Sequence, residues 1–264
     1  MNWSKHCEVN CIIEKLLNGH RQVFGDKLAG FYLYGSLIWG DFDIVSSDID
    51  TLCAITSQVT PDEIERLRIM HEEIASENPL WRDRVEVHYA SLDGLKNFRK
   101  FSSKMGNISP GEPLHIIDAG IEWLDEWYCV QEYAITLFGI DKAEVIPHIE
   151  KSEFIQTICG YARSFPERIK ASKHCSYSQA YAILTLCRAL YTLKNEEQVS
   201  KLAAARWAID FLPEYSNIIS NALIWRHERN SSVQDPFKTF VLAEKFVSDI
   251  VGRFFAIKEN DYCK

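Results

Sequence analysis

The hydrophobic period of the chain changes once along its length, and that change limits what it can fold into. Up to about residue 145, short apolar runs alternate with amphipathic stretches; beyond it only helical spacing remains. In the first part, residues 4–24 set Cys7, Cys11, Ile12, Leu16, Leu17 and Val23 at helical intervals. "GFYLYG" (30–35) reads as a buried strand, "DIDTLCAI" (48–55) as a second and "RVEVHYA" (84–90) as an alternating third. Between the last two, Thr60-Pro61 supplies a cap residue and a first-turn proline, which predicts a helix ending near Pro79. The second part predicts four or five amphipathic helices. Phe154, Ile158, Tyr161 and Phe165 line one face, and Phe237, Val241, Val247, Val251 and Phe254 line another. Residues 121–140 between the two parts read as a connecting helix. The expected fold class is therefore α+β: an N-terminal domain over 1–145, with a small mixed sheet flanked by helices, then an all-α helical-bundle domain over 146–264.

Composition narrows the function classes. Uninterrupted apolar runs of the roughly 18 residues that a membrane span needs are missing from the sequence. Glu8 and Glu14 flank the short apolar patch near the N-terminus, which does not read as a secretory signal, so the cytoplasm is expected. The eight cysteines form no C-x-x-C pair; Cys7 and Cys11 share a helix face, and all are expected to be buried structural thiols. Lysines and arginines number 29 against 37 acidic residues, a formal charge of −8 with no basic block. That argues against nucleic acid as a partner and suits a cationic small molecule. A monomer is expected.

Chemistry concentrates in "FYLYGSLIWGDFDIVSSDIDTLCAI" (31–55). Side chains alternate along a strand, so Asp48 and Asp50 share a face about 7 Å apart while Ile49 points to the opposite core. Their repulsion grows at a partly buried strand end unless a cation neutralises it. Magnesium does so, taking carboxylates together with phosphate oxygens. Gly35 lets the backbone approach a phosphate, and Ser36 offers a hydroxyl and an N–H at the strand end. Glu86 is a third acid. It can complete a carboxylate triad, act as general base toward an attacking hydroxyl, or face water from a half-exposed strand. Asp41 and Asp43 also have i, i+2 spacing, but in a turn-forming stretch, and are read as solvated loop. The combination predicts nucleotidyl transfer with pyrophosphate leaving, driven by positioning and charge neutralisation.

Gly35-Ser36, Asp48-x-Asp50 and the later Glu86 resemble the pattern of the DNA polymerase β-like nucleotidyltransferase superfamily. In the second half, "LTLCRALYTLKNEEQVSKLAAARWAIDFLP" (184–213) is similar to the helical domain of the aminoglycoside adenylyltransferases that modify spectinomycin and streptomycin. The resemblance implies an N-terminal nucleotidyltransferase domain, magnesium as cofactor and ATP as co-substrate. Gly35, Ser36 and Ser47 match the nucleotide-phosphate loop, Asp48 and Asp50 the magnesium ligands, and Glu86 the catalytic base. Arg188 and Lys201 match basic residues that meet the ATP phosphates; without the resemblance they read as surface charges. Glu86 and Glu122 are the carboxylates implied to meet a cationic acceptor, with Asp125 and Glu126 beside Glu122. Trp123 and Trp127 either stack on a substrate ring or pack in the core.

The chain departs from the family at two places. The family's Gly-Glu-Trp and Asp-Glu-Arg-Asn segments are replaced by "RKFSSKMGNISPGEP" and "SYSQAYAI", and Ser178 stands where the family has a substrate-contacting aspartate. Streptomycin recognition in the family's manner is not expected. Two competing readings are a toxin-antitoxin or regulatory nucleotidyltransferase, for which Arg168 and His174 fit a ribonuclease-like spacing, and a degenerate binding module without catalysis.

Overall fold

The computed structural model describes residues 3–227 and 235–256. Two units divide the chain, Met1–Glu150 and Lys151–Lys264.

The first unit is built on a six-stranded sheet. Helix α1 (Cys7–Phe24) precedes β1 (Leu28–Tyr34), and the short turn of helix α2 (Ser36–Trp39) leads to β2 (Ile49–Ile55). Helix α3 (Pro61–Glu77) crosses over to β3 (Val85–Ser91), so β2 and β3 are parallel, as a helical crossover demands. The start of α3 is fixed by a reciprocal cap: the Glu63 N–H donates to Thr60 Oγ1 at 3.3 Å, and the Thr60 N–H donates to Glu63 Oε2 at 2.7 Å. After α4 (Leu92–Asn97) come β4 (Ser103–Ser109) and β5 (Glu112–Ala119), then α5 (Leu124–Tyr133), β6 (Ile135–Gly139) and α6 (Lys142–Val145). Strand order is β5-β4-β3-β2-β1-β6, and every pairing except β2–β3 is antiparallel. All seven residues of β1 are buried, as expected of a central strand covered on both faces.

Helices α1 and α3 cover one face of this sheet. Ile12, Ile13 and Leu16 of α1 and Leu67 of α3 pack on Phe31, Leu33, Cys53, Val87 and Tyr89. One polar knot lies inside this core: Tyr89 Oη is 3.1 Å from His20 Nε2 and 2.6 Å from His71 Nε2, and all three residues are buried. Cys7 and Cys11 are exposed, against the expectation of burial, because they fall on the solvent side of α1 opposite Ile12 and Leu16. The stretch 121–140 is helical only through Tyr133; Ala134 is extended, and the β-branched and aromatic run after it adds as β6 to the open edge of β1.

The second unit is helical, and among its described residues there is no strand. It comprises α7 (Lys151–Arg168), α8 (Ser176–Asn195), α9 (Lys201–Phe211), α10 (Ser216–Trp225) and α11 (Pro236–Ile250), closed by a wide turn over Val251–Phe255. Helix α8 is the central element, with Ile183, Leu186, Cys187 and Leu190 fully buried. The α7 face forms as its spacing predicts, with Phe154 and Phe165 buried and Ile158 and Tyr161 half-buried against the core. The α11 face differs: Phe237 and Val241 are exposed, while Phe240, Ala243, Phe246, Val247 and Ile250 are inside. A 3.6-residue stripe through Val247 runs back to Phe240 and Ala243, and so leaves Phe237 and Val241 off the buried side.

Candidate active site

The last residue of β1 and the second residues of β2 and β3 fall in one row across the sheet. Tyr34 pairs with Asp50, and Asp50 pairs with Glu86. Residues directly opposite one another share a face, so these three side chains stand together. Ile49, Val85 and Val87 point the other way into the apolar core, with exposures of 0%, 8% and 0%. Asp48 lies just before β2, close enough for its charge to act on Asp50. Burial lifts the Asp50 carboxyl well above the ordinary carboxylate range; Glu86, Asp48 and Glu126 lift it further, and the Ser36 N–H that it accepts pulls it partly back.

The turn between β1 and α2 is shaped around that carboxylate. Gly35 has φ +75°, and a Cβ placed there would stand 1.8 Å from Asp50 Oδ2. Only glycine combines this backbone with this approach. It brings the Ser36 N–H onto Asp50, while Ser36 Oγ is buried with no hydrogen-bond partner among the described residues. The loop that follows is tied down internally. The Asp43 carboxylate accepts the Val45 and Ser46 N–H groups at 2.7 and 3.1 Å, so this residue closes a turn and is half-buried, as is Asp41. Ser47 is buried; its Oγ accepts the Asp43 N–H at 3.0 Å, and its carbonyl accepts Arg84 Nε at 3.1 Å. Arg84 also donates to the Ile44 carbonyl at 2.9 Å and lies 4.6 Å over the Trp81 ring, pinning the loop that delivers Asp48.

Beside Glu86 stands a residue that sequence reasoning passed over. His88 shares the Glu86 face of β3 and is buried, with Nδ1 2.7 Å from Asn107 Oδ1 on β4 and Nε2 3.3 Å from Glu86 Oε1, out of line for a hydrogen bond. Burial disfavours its imidazolium, yet the charges of Glu86 and Glu126 and the Asn107 contact together hold its pKa above the ordinary histidine value. The alternation of "VEVHYA" carried the signal, since it sets Glu86 and His88 on one face. Trp123 and Trp127 are stacked on each other, centroids 5.9 Å apart, and both meet the His88 ring edge-on. Trp127 is 2% exposed, so it is packed in the protein.

Helix α5 adds a fourth carboxylate. The charge of Glu126 acts on Asp50, on His88 and on the buried Tyr34 hydroxyl, whose pKa is raised first by burial and then by Glu126, Glu86 and Asp50. Glu122 is placed differently: it is exposed, and its Oε1 accepts the Gly120 N–H at 2.9 Å, within its own turn. Arg188 and Lys201 belong to the second unit, on α8 and at the first position of α9, both partly exposed. Ser178 is on the first turn of α8.

This row is rich in negative charge, and Asp50 bears the consequence. Among the described residues no three His, Cys, Asp or Glu side chains close into a ready-made metal group. Magnesium does not need one, because it is commonly held by one or two carboxylates and completes its shell with water and substrate phosphates. Asp48 and Asp50 fit that donor set, with the unpartnered Ser36 Oγ beside them.

Known proteins resemble this chain in sequence and in fold. Residues 144–250 match the model of the aminoglycoside adenylyltransferase C-terminal domain. Three spectinomycin 9-adenylyltransferases of Staphylococcus aureus, two from strains Mu50 and N315, are each 28% identical over 207 residues, covering 74% of this chain and 75% of theirs. The fold is that of the spectinomycin adenyltransferase AAD(9) from Enterococcus faecialis, solved with ATP and spectinomycin: TM-score 0.70 at 18% identity, over 90% of this chain and 99% of that one. Over its helical half, and along most of its length, the chain is similar to the aminoglycoside adenylyltransferases.

Proposed function

We propose that this enzyme transfers the AMP group of ATP to a hydroxyl of an aminocyclitol or aminoglycoside such as spectinomycin, releasing pyrophosphate. The observation that carries the reading is Asp50, pressed by Asp48 and Glu86 and capped by the Ser36 N–H at a turn only glycine can make. Such a cluster is built to be completed by a cation and a phosphate.

Glu86, with a quarter of its side chain exposed, takes the proton of the attacking hydroxyl. The acceptor oxygen then forms its bond to the α-phosphorus as the bond to the pyrophosphate oxygen breaks. His88, fixed by Asn107, stands against the Glu86 carboxylate, with Nε2 3.3 Å from Oε1. The turn at Gly35 and Ser36, with Ser47 behind it, orients the nucleotide phosphates. The family resemblance assigns Arg188 and Lys201 to the ATP phosphates, to which they would add positive charge. Asp48 and Asp50 are the residues that would hold magnesium, which would supply neutralisation of charge on the phosphate oxygens. Glu126 and Glu86 favour an acceptor carrying ammonium groups. Ser178, in place of an acidic side chain on α8, disfavours streptomycin.

The test is pyrophosphate release by the purified protein with Mg2+, ATP and a panel of aminoglycosides. Release is expected with spectinomycin and loss of at least about 100-fold in Asp48→Asn, on the scale of removing a key electrostatic contact. Release equal in the variant, or with no acceptor required, would overturn the assignment. The competing ribonuclease-like reading finds Arg168 packed over the Tyr161 and Phe165 rings and His174 edge-on to Phe237, each engaged with an aromatic partner.

A further inference from the structure

Three helices of the second unit meet at a pair of tyrosines. Tyr161 of α7 and Tyr181 of α8 bring their hydroxyl oxygens to 3.4 Å. The Arg168 guanidinium lies 4.6 Å over the Tyr161 ring, and Lys201 Nζ lies 4.2 Å over the Tyr181 ring. Arg188, seven residues on from Tyr181 and so on the same side of α8, acts on the Tyr181 phenol together with Lys201. Tyr181 is 43% exposed, so this cationic and aromatic group stands at the surface of the unit.

A lysine on a flexible four-carbon stem must be ordered before it can place its charge. An aromatic face orders it in a particular way. The ring attracts the ammonium through its quadrupole and carries no net charge, so it does not cancel the positive charge as a carboxylate would.

We infer that Tyr181 is a positioning residue for nucleotide binding: its ring holds the Lys201 ammonium for the triphosphate. The inference rests on the reading that Lys201 meets the ATP phosphates.

Steady-state kinetics with Mg2+, ATP and spectinomycin tests it in Lys201→Ala, Tyr181→Leu, Tyr181→Phe and the Lys201→Ala/Tyr181→Leu double variant. Lys201→Ala should raise the KM for ATP by about 10-fold or more, the scale of a charge-assisted contact. Tyr181→Leu should raise it by about 2- to 5-fold, the worth of an exposed cation–π contact, with kcat and the acceptor KM near wild type. Tyr181→Phe keeps the ring and should behave as wild type, which also separates the effect from misfolding. In the Lys201→Ala background, Tyr181→Leu should add nothing. A wild-type ATP KM in Tyr181→Leu beside a raised one in Lys201→Ala overturns the inference alone, as do additive losses or a Phe variant as impaired as Leu. A wild-type ATP KM in Lys201→Ala overturns the reading of Lys201, and the inference with it.

Discussion

At the scale of single residues, Gly35 and Asp50 are one feature. Gly35→Ala sets a Cβ against the Asp50 carboxylate in a backbone region that L-residues avoid. We expect a loss of roughly 1–3 kcal/mol in stability and of about 100-fold or more in pyrophosphate release, read by denaturant unfolding and kinetics on one preparation. Asp50→Asn acts the opposite way on the fold. It takes a charge out of a crowded row, so without Mg2+ the variant should melt no lower than wild type while losing turnover. Adding Mg2+ with ATP should raise the wild-type Tm and leave the variant's nearly unmoved. Much of this site is legible in the sequence, because strand alternation alone puts Asp48 and Asp50 on one face and Glu86 on the side its neighbours Val85 and Val87 avoid. What was not legible was the company they keep. Tyr34 joins the row through strand register, and Glu126 arrives on a helix; neither follows from local spacing. Glu122, the candidate named from sequence, is exposed and has one carboxylate oxygen accepting the Gly120 N–H of its own turn.

At the scale of elements, α1, α3 and β3 are joined by the buried His20–Tyr89–His71 knot. Burial depresses His71 from 6.5 to about 4, and depresses His20 as well, with the neighbouring His71 adding to the effect there. The unfolded chain therefore takes up protons below pH 6.5 that the folded one refuses, and stability falls as pH drops. The contribution is whole above about pH 6.5. By about pH 4, His71 alone removes roughly 3 kcal/mol, at 1.36 kcal/mol per unit. Urea unfolding between pH 8 and 4 should show this slope, and His71→Phe should flatten part of it; an unchanged slope would assign the acid sensitivity elsewhere. The elements that carry this core were visible in sequence: α1, β1, β2, α3 and β3 all follow from period and capping. The hairpin β4–β5 and the edge strand β6 were not. Their burial is incomplete, so their apolar spacing is weak, and β6 is strand because β1 offers an unpaired edge, a tertiary cause that overrides the helical reading of 121–140.

At the scale of the whole molecule, a net charge of −8 sets how a cationic acceptor arrives. Carboxylates gathered at one end of the sheet should speed the encounter with an ammonium-bearing acceptor, so its kcat/KM should fall several-fold between about 50 and 500 mM salt. A salt-independent value would mean that steering plays no part. Each unit has its own apolar core, one around Phe31 and Leu67 and the other around α8, and among the described residues each core encloses one fully buried cysteine. Cys53 is sealed in the first and Cys187 in the second, both at 0% exposure, while Cys7 and Cys11 stand outside on α1. The two inner thiols are thus independent clocks: the waiting time before each takes up an alkylating label measures how often the core around it opens, one unit at a time.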